Sequence, residues 1–272
     1  MSLLLLLRTM PERLSPMRRT LVLTAAALFP GLPWALGVYP VSMGVLGAVL
    51  AGFALARGRP WLAGAFAIGM LAAHSAGLAM TAGVICAALT LPGEARERLQ
   101  RTVRLALLPI AYLIAQAAYF QVSLGHWNAN LLTQTSYGNK LTSPLTTVAT
   151  RLGSLGFSIA AIRARTIWPP LQELALLAVL LLAAAGLPRL WGKVDVDLAA
   201  RTSFVLAVGG IVTYVGVSLT GPYVSGWRTA AFSMPATAGL AHLPRQTLTV
   251  AVAVLAVIGI GMTAAFISFR LP

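Results

Sequence analysis

The sequence predicts an all-α, polytopic integral membrane protein, a single transmembrane helical domain spanning residues 1–272, and three observations carry that prediction. Of the 272 residues 58% are hydrophobic and only 10% are charged, where a soluble domain has about 25% charged residues. Apolar runs approaching the twenty or so residues of a bilayer crossing recur along the chain, seven or eight in number. The net charge is +14, and every basic residue except Lys140 and Lys193 is arginine. These arginines fall between the apolar runs with no aromatic interleaving. That pattern excludes a nucleic-acid partner and favours membrane lipids, phosphate-bearing ones above all. The lone cysteine, Cys86, lies in an apolar run and excludes a disulfide framework.

The first apolar run is 20–36, broken at Pro30, Gly31 and Pro33, and the second is 38–56, ending at Arg57 and Arg59. The third, 61–92, is interrupted at His74–Gly77. A charged link, Gly93–Arg104, leads into a segment at 105–123. A long polar stretch, 124–167, is followed by runs at 169–187, 202–221, 230–243 and 247–268. Leu3–Leu7 is too short for a secretory signal and has no basic residue before it. It looks like the tail of a membrane helix whose beginning is absent.

Orientation follows from arginine and lysine in short links. Arg8, Arg13, Arg18 and Arg19, then Arg57 and Arg59, then Arg96–Arg104, then Arg189, Lys193 and Arg201 mark cytoplasmic positions. The N-terminus is then cytoplasmic in a multi-pass plasma-membrane protein. Basic links on both flanks of 61–92 demand a hairpin, yet 32 residues cannot hold two full crossings. Two short or partly re-entrant helices meeting near His74–Gly77 are therefore expected, with His74 bonding to the broken backbone. Pro235 is expected to break a later helix in the same way.

The candidate chemistry lies on the predicted outer side. The stretch 124–167 carries His126, Lys140, Arg151, Arg163 and Arg165 and no acidic residue. Translocated segments usually avoid such an excess. An anionic ligand such as a lipid phosphate would explain it, with His126, Lys140, Arg151 and Arg228 as its contacts. An interfacial amphipathic helix would also explain it, with Leu145, Val148, Leu152, Leu155 and Ile159 on one face and arginines snorkelling to headgroups. Of six carboxylates only Glu173 falls near the outer face. There it is expected in the first helical turn, complementing the helix dipole, and it is the one weak candidate for a catalytic base. The three histidines are scattered without accompanying carboxylates, so no metal site is expected, and no cofactor is called for.

Several motifs add to this. Leu28-Phe29-Pro30 followed by Val38-Tyr39-Pro40-Val41-Ser42 resembles the "FP…vYtEs" stretch of PIG-V-like mannosyltransferases, members of the GT-C superfamily of membrane glycosyltransferases. Arg57–Gly64 and His74–Gly77 are similar to that family's "gr-w-lAG…TRptG". Gly125–Asn130, Gln134, Tyr137-Gly138 and Ser143-Pro144 are similar to its outer-loop motifs, and Trp227–Pro235 to its "RY-xx-P". The matches run in family order over about residues 20–240. The departures are specific. Val41-Ser42 replaces the family's acidic position, His74 its arginine, and Thr229 its tyrosine. The early helix and the catalytic-aspartate loop that open family members have no counterpart here. That implies a fragment, a miscalled start or a diverged homologue without catalysis.

The resemblance implies transfer of a hexose, mannose in the family, from a polyprenyl-phosphate donor to a lipid-linked or surface acceptor. Such chemistry needs a carboxylate base on the acceptor hydroxyl and cations on the departing phosphate. The sequence supplies cations but no convincing base. The alternative is a non-catalytic membrane subunit or pseudoenzyme that binds a phosphorylated lipid or a membrane protein partner.

Overall fold

In the computed structural model, residues 15–29, 39–136, 140–153, 168–219 and 231–267 are described, and every regular element among them is helical. In chain order they are α1 (Pro16–Ala27), α2 (Tyr39–Ala56), α3 (Pro60–Ala73), α4 (Gly77–Thr90), α5 (Ala95–Leu124), α6 (Ala129–Ser136), α7 (Pro144–Gly153), α8 (Trp168–Trp191), α9 (Leu198–Ser218), a 3₁₀ helix (Ala231–His242) and α10 (Arg245–Ile267). Three helical stretches, Ala95–Leu124, Leu171–Trp191 and Leu198–Ser218, are long and apolar enough to cross a membrane.

Local chemistry sets the boundaries. Ser15 caps α1 by accepting from the Arg18 amide at 3.4 Å, and Pro16 follows where a missing N–H costs nothing. Glu94 and Glu97 form a reciprocal capping box at the start of α5. The charged residues expected in a link before 105 therefore lie inside a continuous 30-residue helix. Gly125, at φ 73°, ends that helix in the left-handed region that glycine adopts without penalty. Asp197 caps α9 through the amides of Ala199, at 2.8 Å, and Ala200.

The apolar stretch 61–92 is two helices, as the parity of its flanking links requires. The chain leaves α3 at His74, whose backbone is extended, and re-enters helix at Gly77. His74 Nδ1 accepts from the Ala76 amide at 3.0 Å, so the imidazole satisfies a donor that the break exposes. Its ring rests against Phe232. Gly77 packs directly on the Met70 carbonyl, where any side chain would collide.

α9 is the centre of the bundle, with α4, α2, α8 and the 3₁₀ helix around it. These contacts are made by small residues, which let backbones approach without large interdigitating side chains. Gly83 faces the Gly209 carbonyl and Gly216 faces Ala79, so α4 runs antiparallel to α9. Gly52 meets Leu206 and Gly47 meets Met70, which folds α2 and α3 into a hairpin against the same core. The 3₁₀ helix packs Ala236 on Gly210 and Gly239 on Ala183 and Gly186, and Ala231–Ala241 are buried throughout. Pro235 lies inside this element rather than between two helices.

These pairings sort the chain ends. Arg101 bonds the carbonyls of Ala88 and Pro92 and lies within electrostatic reach of Arg201. His242 lies within electrostatic reach of Lys193, Asp197 and Arg18. Leu105 packs on Gly64, four residues after Pro60. The start of α1, the 57–59 link, the 91–101 link and the 192–201 link thus share one end, a basic end. The 74–76 break, the start of α8 and the end of α9 lie at the opposite end. Cysteines replacing Leu141 and Lys193, both exposed, in a Cys86→Ser background are expected to label from opposite sides of a sealed vesicle with an impermeant maleimide. Labelling from one side only would overturn this arrangement.

Candidate functional site

The end opposite the basic links holds the buried ion pair. α8 presents Glu173, α9 presents Tyr214, and α7 lies across both and presents Arg151. Arg151 Nη1 donates to Glu173 Oε1 at 3.3 Å, and the two side chains are only 11% and 7% exposed. The Tyr214 hydroxyl donates to the same Glu173 oxygen in a short hydrogen bond. Ser218, one turn further along α9, stands beside the phenol. Thr147, one turn before Arg151, is fully buried, and its hydroxyl finds no hydrogen-bond partner among the described residues. Gln172 is buried next to Glu173 in sequence.

Three elements separated in sequence therefore converge on one carboxylate. Burying an ion pair costs several kcal/mol per charge in desolvation, so such a pair persists only with supporting hydrogen bonds. The Tyr214 hydroxyl is one such support. Ionisable groups at membrane depth are costly and mark functional positions by default.

This geometry changes the roles read from sequence. Glu173 lies beyond the first turn of α8, which holds no acidic residue, so its carboxylate serves Arg151 and Tyr214 rather than the helix dipole. Arg151, expected as an outer cation without an acidic neighbour in sequence, is paired with the one carboxylate that the described residues place at that end; proximity in space supplies what the sequence between them does not. Nor does it snorkel outward. On α7 the pair Thr147 and Arg151 faces the bundle, while Leu145, 82% exposed, lies on one flank and the exposed Thr146 and Thr150 lie on the other. That division of flanks is the one an interfacial helix requires. Leu155 and Ile159 of the expected apolar face lie outside the described residues.

Lys140 is exposed two residues before Thr142, whose amide donates to the Leu219 carbonyl at 2.9 Å and ties this segment to the end of α9. His126 is exposed in the turn that ends α5, where Gln121 accepts from the Trp127 amide at 3.1 Å. Arg228, Arg163 and Arg165 lie outside the described residues. Among those described, no three of His, Cys, Asp and Glu come together as metal ligands would. Tyr214, Thr147 and Ser218 escaped the sequence reading. The available signal was a tyrosine and two hydroxyl residues, Thr213 and Ser218, at the far end of a helix whose middle, Phe204–Val212, is wholly apolar. Comparison with protein-family models, with curated proteins and with solved structures gave no match.

Proposed function

We propose that the chain is a multi-pass plasma-membrane protein with a GT-C-like helical bundle that binds a polyprenyl-phosphate-linked hexose, mannose by resemblance, at its outer end without itself completing sugar transfer. The concentration of arginine at one end supports the sidedness, since cytoplasmic links carry the excess of basic residues. The basic end, with Arg18, Arg101, Lys193 and Arg201, is then cytoplasmic, and the Arg151–Glu173–Tyr214 cluster faces outward.

The observation that carries the reading is the engagement of Glu173. Transfer requires a carboxylate free to take the acceptor's proton, a contribution of about 10²–10⁴ in rate. Glu173 is the single carboxylate among the described residues of the outer end, it is buried, and the Tyr214 hydroxyl holds one of its oxygens independently of Arg151, whose Nη1 lies within 3.5 Å of both. Glu94, Glu97, Asp195 and Asp197 belong to the opposite end. Cations for the lipid phosphate are available in Lys140, Arg151 and Arg228. A membrane protein partner would bring the base.

The test is reconstitution of the chain in nanodiscs with polyprenyl-phosphate mannose and an alkyl mannoside acceptor. Saturable donor binding without release of polyprenyl phosphate is expected. Turnover that Glu173→Gln abolishes would instead establish a complete mannosyltransferase with Glu173 as its base.

A further inference from the structure

We infer that α7 is a latch, held on the outer end of the bundle by the Arg151–Glu173 pair, and that a phosphate monoester headgroup releases it by taking Arg151 from the carboxylate. This rests on the proposed binding of a phosphorylated lipid at that end.

Three features of the molecule point to it. The first is how little else holds α7. Thr147 is its only fully buried residue, Val148 packs partly against the core, and its leucines at 145 and 152 are exposed or half-buried. A short helix with so few buried apolar contacts belongs to the least stable part of a fold, where local opening is cheap. The second is the chemistry of the pair. A guanidinium recognises carboxylate and phosphate through the same planar fork of donors, and a phosphate offers it more charge and more acceptor oxygens. Exchange of one partner for the other therefore leaves Arg151 satisfied at each stage. The third is what the exchange leaves behind. Glu173 keeps the Tyr214 hydroxyl as a donor when Arg151 departs, which offsets part of the cost of losing its countercharge. Meanwhile Leu145 on α7 and Leu141 just before it, both more than four-fifths exposed, give the segment an apolar flank with which to rest in the headgroup region once released.

The latch makes a prediction opposite in sign to an ordinary binding or structural role. Glu173 competes with the ligand for Arg151, so removing its charge strengthens binding. In phosphatidylcholine nanodiscs, polyprenyl phosphate is expected to bind the wild-type chain and to raise amide hydrogen exchange across Leu145–Gly153. Exchange in α8 and α9 stays unchanged, and polyprenol, which lacks the phosphate, does neither. Glu173→Gln is expected to raise α7 exchange without any lipid and to tighten polyprenyl phosphate binding about tenfold, while Arg151→Ala loses at least that much. Tyr214→Phe keeps the ion pair but removes its support. It should tighten binding two- to threefold, and it carries the test should Glu173→Gln fail to fold. Opening by inorganic phosphate at the same concentration would support the latch but assign its trigger to a free anion rather than a lipid. Lipid binding with α7 exchange unchanged, or binding weakened by Glu173→Gln, would overturn the latch alone. Absence of polyprenyl phosphate binding by the wild-type chain would overturn the latch, and absence of polyprenyl-phosphate mannose binding as well would overturn the proposed function together with it.

Discussion

Alanine in place of Gly83 or Gly186 is expected to destabilise the protein by about 3 kcal/mol, at the upper end of what overpacking a core costs. At each position a Cβ would drive into a backbone carbonyl, that of Gly209 for Gly83 and that of Gly239 for Gly186. A flexible side chain could swing away; a carbonyl fixed within a buried element cannot. α4 would have to part from α9, and α8 from the 3₁₀ helix, along contacts that depend on close backbone approach. Gly69 and Gly153 provide the controls, because a Cβ there meets nothing within 4 Å. Alanine at Gly69, inside α3, should be neutral or stabilising by about 0.5–1 kcal/mol through the glycine entropy of the unfolded chain. Thermal unfolding of the four single variants in detergent, followed by helical circular dichroism, separates the two classes. Equal midpoints would remove the small-residue seams as the basis of the packing.

Arg151→Leu is expected to be the most damaging single change in the polar cluster, costing about 3–5 kcal/mol, because it leaves the buried Glu173 carboxylate without its countercharge. The double variant Arg151→Leu, Glu173→Leu should recover most of that loss. Replacing a whole buried ion pair by apolar residues of similar volume is often neutral, whereas removing half of it is not. The coupling energy from the four-member cycle therefore reports the cost of the stranded charge. Additive losses in the double variant would mean that Glu173 reaches another cation or water when Arg151 is absent.

The sequence exposes some of these features and conceals others for physical reasons. The break at His74–Gly77 is legible because basic links flank a run too long for one crossing and too short for two. Its satisfaction by the imidazole follows from placing a hydrogen-bonding side chain at an exposed backbone donor. The start of α5 is less legible. Four arginines look like a link until Glu94 and Glu97 are recognised as a capping box, after which the arginines simply occupy the first turns of a helix. The Arg151–Glu173 pair is hidden because 22 residues separate its members, and Tyr214 stands 41 residues further on. Spacing of that kind carries no periodic signature, since only the packing of α7, α8 and α9 brings the three together. The 3₁₀ form of Ala231–His242 is hidden too. An apolar run with one proline is equally compatible with a kinked α-helix. The crowding by Gly210, Ala183 and Gly186, which has no trace in the local sequence, accompanies the tighter winding observed.

The unequal lengths of neighbouring helices bear on the surrounding lipid. α3 and α4, each 14 residues, reach about 21 Å, whereas the 30 residues of α5 reach about 45 Å at the same rise per residue. A hydrocarbon core is about 30 Å thick, so in a bilayer the α3–α4 hairpin, with Trp61, Leu62, Leu78 and Leu89 exposed along it, would be too short to cross, while the apolar Leu105–Leu124 part of the adjacent α5, beyond its arginines, would just span it. Hydrophobic mismatch of this sign is relieved by thinning the membrane beside the short helices, at a cost of fractions of a kcal/mol per Å. Thinning there would draw headgroups toward the end where the chain breaks at His74 and shorten their path into the bundle.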